Sequence, residues 1–193
     1  MPALTNARTR REPARQRILE TALVLFYAEG TRAVGIDRII ADANVAKMSF
    51  YRHFPSKADL VCAFLEERHK RWMHWFTTRF AERSFRRTPK LPVVADVLTE
   101  WFRGQNFHGC AFIKILAETT AENSRERKIA HAHKEELKLF LTGIAKLDGA
   151  KNPAETGSFA LLIVEGAIVR AEMTGSSKPA NDARRLLSLL ANR

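Results

Sequence analysis

Apolar residues in this chain return every three or four positions from about Arg15 onward, and they almost never alternate. That period lines one face of an α-helix, whereas a half-buried strand needs a period of two. Hairpin dipeptides between alternating runs are missing as well. The chain is therefore expected to be all-α, with about nine helices. With 193 residues, 46% of them hydrophobic, it can bury a real core.

The first helix carries Ile18, Leu19, Ala22, Leu23, Leu25 and Phe26 on one face, and Gly30 suits its C-cap. Two short helices follow at about Ile36–Ala43 and Lys47–His53, separated by a tight turn. Ser56 is a good N-cap, with Asp59 in a capping-box-like position. A long helix then carries Leu60, Val61, Phe64, Leu65, Trp72, Trp75, Phe76 and Phe80 into a basic stretch, Arg83–Lys90. Pro89 and Pro92 separate it from further helices at about 93–103, 110–121, 125–146, 154–174 and 180–191. No repeat recurs at a solenoid period. The organisation expected is a basic arm over 1–11, a three-helix head over 12–56 and a second helical domain over 57–193.

Charge is segregated along the chain. Of the net +11, residues 1–60 hold +4, residues 61–90 hold +5 and residues 91–193 only +2. A merely solubilising surface needs no such gradient, so a polyanion is the expected partner. Two cysteines make no disulfide framework, no apolar run opens the chain, and the longest apolar stretch, Phe159–Val164, cannot span a bilayer. A reducing cytoplasm is the expected location, with no membrane partner.

Residues 36–54, IDRIIADANVAKMSFYRHF, have the grammar of a helix-turn-helix. Ile36, Ile39, Ile40 and Ala43 face inward on the first helix, and Phe50 and Phe54 anchor the second. Asn44 stands where the turn needs a left-handed backbone, a position Gly usually fills and Asn tolerates. The outward set on the second helix is Lys47, Met48, Ser49, Tyr51, Arg52 and His53. It is rich in donors and holds no carboxylate, which suits a groove lined by acceptors and phosphates. The alternative is an ordinary helical hairpin with a solvated basic face.

The phrase NVAKMSFYRHFPSKADL (44–60) closely resembles the end of the DNA-binding domain of tetracycline-repressor-type (TetR/AcrR) regulators. The resemblance is strong over about residues 14–65. HGCAFIKILAE (108–118) is similar to the start of a central helix in one branch of that family, and residues 159–173 look like its dimerisation helix. The resemblance implies an all-α homodimer that binds palindromic operator DNA through its N-terminal head and is released, as a repressor, by a small molecule in its C-terminal domain. It also implies that Lys47, Ser49, Tyr51 and His53 touch backbone or bases, that Arg52 reads a base and that Lys57 contacts phosphate. The sequence departs from the family at Gly35, where Ser or Thr usually caps the second helix, at Asn44, and at Met48, which replaces a small residue.

Other constellations carry less. His69, His74, His108, His131 and His133 form no ligand set completed by Cys or carboxylate, so surface histidines and no metal are expected. Cys110, at a helix start, reads as a buried small hydrophobe rather than a reactive thiol. No nucleophile triad, phosphate loop or carboxylate pair suggests an enzyme or a cofactor. A membrane-surface protein would need a bulky apolar face in the basic arm, which is absent.

The middle third supplies a dense aromatic set, where an effector pocket is expected among Trp72, Phe76, Trp101, Phe102, Phe107, Cys110 and Phe112, with Glu118 or Arg103 as a polar anchor. Residues 159–169, FALLIVEGAIV, are apolar on every side apart from Glu165, so the helix should lie between its own core and a partner copy. Leu162, Glu165, Ile168 and Val169 there, and Leu186 and Leu190 on the last helix, are the candidate dimer contacts.

Overall fold

The computed structural model describes residues 13–119 and 124–191, and these carry nine α-helices and no strand. In chain order they are α1 (Ala14–Glu29), α2 (Ile36–Asp42), α3 (Lys47–His53), α4 (Lys57–Ser84), α5 (Val94–Phe102), α6 (Ala111–Glu118), α7 (Arg125–Leu147), α8 (Pro153–Thr174) and α9 (Pro179–Ala191). They fall into two compact units. One takes its described residues from 13–70 and 111–130, the other from 71–110 and 131–191. Both α4 and α7 therefore contribute residues to each unit.

In the first unit, Ile18, Ala22, Phe26, Val34, Ile39, Phe50, Phe54, Leu60, Phe64 and Leu65 are buried. Phe26 meets Phe64 edge to face at 5.6 Å, which ties α1 to α4. Gly30 ends α1 with φ +86°, its N–H donating to the Phe26 carbonyl. A Cβ there would stand 2.6 Å from the Glu118 carboxylate, the end of a side chain that can move, so it is the left-handed backbone that favours glycine. The Glu118 carboxylate accepts from the Thr31 amide (3.0 Å), the Arg32 amide (3.2 Å) and the Thr31 hydroxyl. The Arg32 guanidinium in turn donates to the Glu118 carbonyl at 2.7 Å, so the end of α6 holds the loop after α1. At the start of α4, the Ser56 hydroxyl accepts from the Asp59 amide (3.1 Å) and donates to the Asp59 carboxylate (2.7 Å). Arg125, at the first position of α7, donates to the same carboxylate at 2.8 Å. The Ser56 hydrogen bond first, then Arg125, holds the Asp59 carboxyl below its ordinary value.

The second unit has α8 packed on α9, with α5 against both. Its interior holds Leu91, Val94, Val97, Leu98, Leu137, Leu141, Val164, Ile168 and Leu187. Gly157 on α8 faces Thr142 on α7 so closely that a Cβ would come within 2.9 Å of its backbone. The helix expected at 93–103 is preceded by a 3₁₀ turn, Leu91–Val93. Asp148 explains it: one carboxylate oxygen accepts from the Lys90 amide and the other from the Leu91 amide, each at 2.7 Å. The helix expected to run to Ala121 ends at Glu118, and Ala121 itself lies outside the described residues.

Candidate nucleic-acid interface

The two short helices are joined by a turn of defined hydrogen bonding. Asn44 has φ +50°. Its amide donates to the Ala41 carbonyl at 3.1 Å, and the Val45 amide donates to the Ile40 carbonyl at 3.2 Å. That pair of bonds is a Schellman motif, which uses a left-handed residue to satisfy the last carbonyls of α2 and to reverse the chain. Arg17 on α1 clamps the turn from outside, its Nε donating to the Ala43 carbonyl (3.2 Å) and its Nη2 to the Asn44 carbonyl (3.1 Å). Arg15 stacks its guanidinium over the Phe54 ring, 5.3 Å from the centroid. Arg15 and Arg17 are thus part of the head's own scaffold. The arm over 1–11 lies outside the described residues.

On α3, Phe50 is 0% exposed and anchors the helix, with Tyr51 edge to face against it at 5.3 Å and Phe54 at 6.2 Å. Lys47, Met48, Tyr51, Arg52 and His53 are exposed, while Ser49 is half-buried. Lys57, just beyond, is half-buried at the first position of α4. The outward set therefore lies on one short helix held on its inner side by Phe50. Lys47 stands 3.8 Å from Asp37 on α2, an exposed pair that a phosphate can displace. Gly35 begins α2 with extended backbone and no side-chain cap. Arg38 on α2 grips Glu29 at the end of α1 through two hydrogen bonds, 2.5 and 2.8 Å. That contact holds the Glu29 carboxyl below its ordinary value.

The aromatic residues expected around a ligand divide between the units. Trp72 stacks on Phe76 at 4.7 Å and meets Trp101 edge to face at 5.3 Å. Phe107 joins Trp101 at 5.2 Å and Phe102 at 5.0 Å. These five belong to the second unit, together with buried Cys110. Phe112 and Glu118 belong to the first, where Phe112 is buried and Glu118 binds the loop after α1. Arg103 is exposed and lies 3.4 Å from the Ser177 hydroxyl. His133, expected at the surface with the other histidines, is buried with its ring 5.4 Å from Trp72. The Trp72 indole N–H is buried and has no hydrogen-bond partner among the described residues.

The outward residues of α8 form a stripe. Phe159, Leu162, Gly166, Val169 and Met173 are exposed at spacings of three and four, and Leu186 and Leu189 are exposed on α9. Ile168 is 2% exposed in its own unit's core, Glu165 pairs with Lys134 at 3.1 Å and Leu190 is half-buried. Among the described residues, no helix is long and apolar enough to cross a membrane.

The family model for bacterial regulatory proteins of the tetR family matches residues 18–64, from the middle of α1 into α4. No curated protein matches the sequence. Among solved structures, a TetR-family transcriptional regulator from Streptomyces coelicolor superposes with a TM-score of 0.81 at 25% identity, covering 93% of this chain and 94% of that one. A putative TetR transcriptional regulator from Streptomyces avermitilis gives 0.78 at 24% identity over 94% of this chain and 97% of that one. The regulatory protein TetR from Rhodobacter sphaeroides gives 0.74 at 23%, over 90% and 96%. The last two share the fold. Residues 18–64 thus match the DNA-binding head of the tetR family of bacterial regulatory proteins, and along nearly all its length the chain is similar to a TetR-family transcriptional regulator.

Proposed function

We propose that this regulator works in the cytoplasm as a homodimeric repressor whose α3 helices enter successive major grooves of a palindromic operator, and that a small molecule held by its second unit releases it. The face of α3 carries the DNA half of this reading. Lys47, Ser49, Tyr51, Arg52 and His53 present donors, Lys57 adds a cation just beyond, and α3 holds no carboxylate. Arg52 suits bidentate reading of guanine, and Lys57 suits a phosphate.

The buried, unpaired Trp72 indole N–H supports the effector half. A buried donor without an acceptor is costly, and a ligand with an acceptor atom set among Trp72, Phe76, Trp101, Phe102 and Phe107 would satisfy it. Such a ligand can weaken operator binding only by preferring a state in which the two reading heads are misplaced. The continuous helices α4 and α7, each with residues in both units, are the natural levers.

All three tryptophans of the chain, Trp72, Trp75 and Trp101, lie in the second unit, so intrinsic fluorescence reports on this cluster. A compound library is screened for quenching, and each hit is then titrated against protein on a fluorescent operator selected from random DNA. Compounds that quench should lower operator affinity, and Trp101→Ala should abolish both effects while leaving affinity without ligand nearly unchanged. Quenching compounds that leave operator affinity untouched would overturn the release mechanism.

A further inference from the structure

We infer that Met48 is a specificity residue that reads the 5-methyl group of a thymine in each operator half-site. The inference rests on the reading of α3 as the recognition helix and deepens it. Met48 is 74% exposed at the second position of α3, with Lys47 before it and Tyr51 and Arg52 one turn on. A lone apolar side chain on a protein surface usually means nothing. Here the surroundings differ, because the exposed positions beside it on α3 are cationic or aromatic, and α3 carries no carboxylate.

A face of that kind suits the major groove, where base edges offer donors, acceptors and a single apolar feature, the thymine methyl. A flexible thioether also adapts to a small apolar target better than a branched side chain. Position fixes the register. Met48 and Arg52 are four residues apart, so their Cβ atoms lie about 5–6 Å from each other on one face. Base pairs stack about 3.4 Å apart. The thymine touched by Met48 therefore lies within two base pairs of the guanine read by Arg52.

The test uses the full chain. Wild-type protein selects duplexes from a random pool, and each thymine of the recovered site is replaced in turn by uracil, which removes the methyl and keeps the pairing. Uracil at one symmetric pair of positions, within two base pairs of the guanine to which Arg52→Ala is indifferent, should weaken wild-type binding roughly fourfold per half-site, the worth of one buried methyl group. Met48→Ala, shown folded by circular dichroism, should bind the thymine and uracil sites equally. Wild-type indifference to uracil at every position would overturn the proposal, and so would an undiminished uracil penalty in Met48→Ala. Failure to enrich any duplex would instead overturn the recognition-helix reading on which it rests.

Discussion

Arg52 and Lys57 are both cations near the end of the helix-turn-helix, yet they should fail differently when truncated. Arg52 projects from α3 and is exposed, while Lys57 opens α4 and is half-buried beside the capped turn. Arg52→Ala should cost about 1–3 kcal/mol on the selected operator and relax preference at one base position. Lys57→Ala should weaken selected and random DNA alike and lower the salt slope by about one. Fluorescence anisotropy at several salt concentrations separates the two, and equal losses on both DNAs for Arg52→Ala would remove it from the reading role. A second residue-scale expectation concerns Asn44, whose φ of +50° closes the Schellman turn. Asn44→Gly should be tolerated, while Asn44→Ala keeps the Cβ and loses the short polar side chain that eases left-handed backbone, at a cost of up to roughly 1–2 kcal/mol. In a chain of this size that is a fall of about 2–4 °C in Tm per kcal/mol. The left-handed turn residue was legible because few residue types accept it. Arg17, which clamps that turn from α1, was not. Nothing in a run of basic residues says which side chain reaches a carbonyl 26 positions away.

Helix ends divide along the same line. The bounds of α3 follow from the sequence because its start follows the Asn44 turn and its end precedes Pro55, and both signals are local. The 3₁₀ turn at Leu91–Val93 is set by Asp148, which is 57 positions from Leu91 and invisible to any short window. The division of the aromatic residues is of this kind too: Phe112 and Glu118 are close in sequence to Phe107, but α6 folds with the DNA-binding head. The start of α4 combines both cases. Ser56 is a local cap, while Arg125 arrives from α7 to share the Asp59 carboxylate. Because folding depresses the Asp59 pKa, its ionised form stabilises the native state above its ordinary value of 3.8. That contribution disappears as the pH falls through the lower folded value. Thermal melts of wild type and Asp59→Asn should therefore differ near neutral pH and converge below about pH 3.8. A gap that persists unchanged to pH 2 would show that the carboxylate charge is not what holds the capped end.

At the scale of the molecule, the question is what covers α8. A helix apolar on all sides asks to be buried on all sides, but in a single chain only part of that is met. Val164, Ile168 and Ala171 are inside, while Leu162 is 66% exposed in a stripe with Phe159, Val169 and Met173. The exposed Leu186 and Leu189 of the neighbouring α9 extend the same kind of surface. TetR regulators dimerise, and a two-fold axis beside this stripe would pair α8 and α9 with their copies in a self-complementary four-helix bundle. Dimerisation also lets two short recognition helices act together on half-sites about 34–36 Å apart or more, where a single seven-residue helix would bind weakly. Leu162 and Ile168 were equivalent on the sequence; their burial makes them opposites. Leu162→Glu places a charge on the exposed stripe, so the variant should keep its helical circular dichroism and cooperative melt, run as a monomer by light scattering, and lose binding to the palindrome. Ile168→Glu places the same charge inside the core, where an unpaired carboxylate costs several kcal/mol, and should unfold the second unit rather than dissociate it. A wild-type chain that is monomeric at micromolar concentration, or a Leu162→Glu variant that stays dimeric, would place the interface elsewhere.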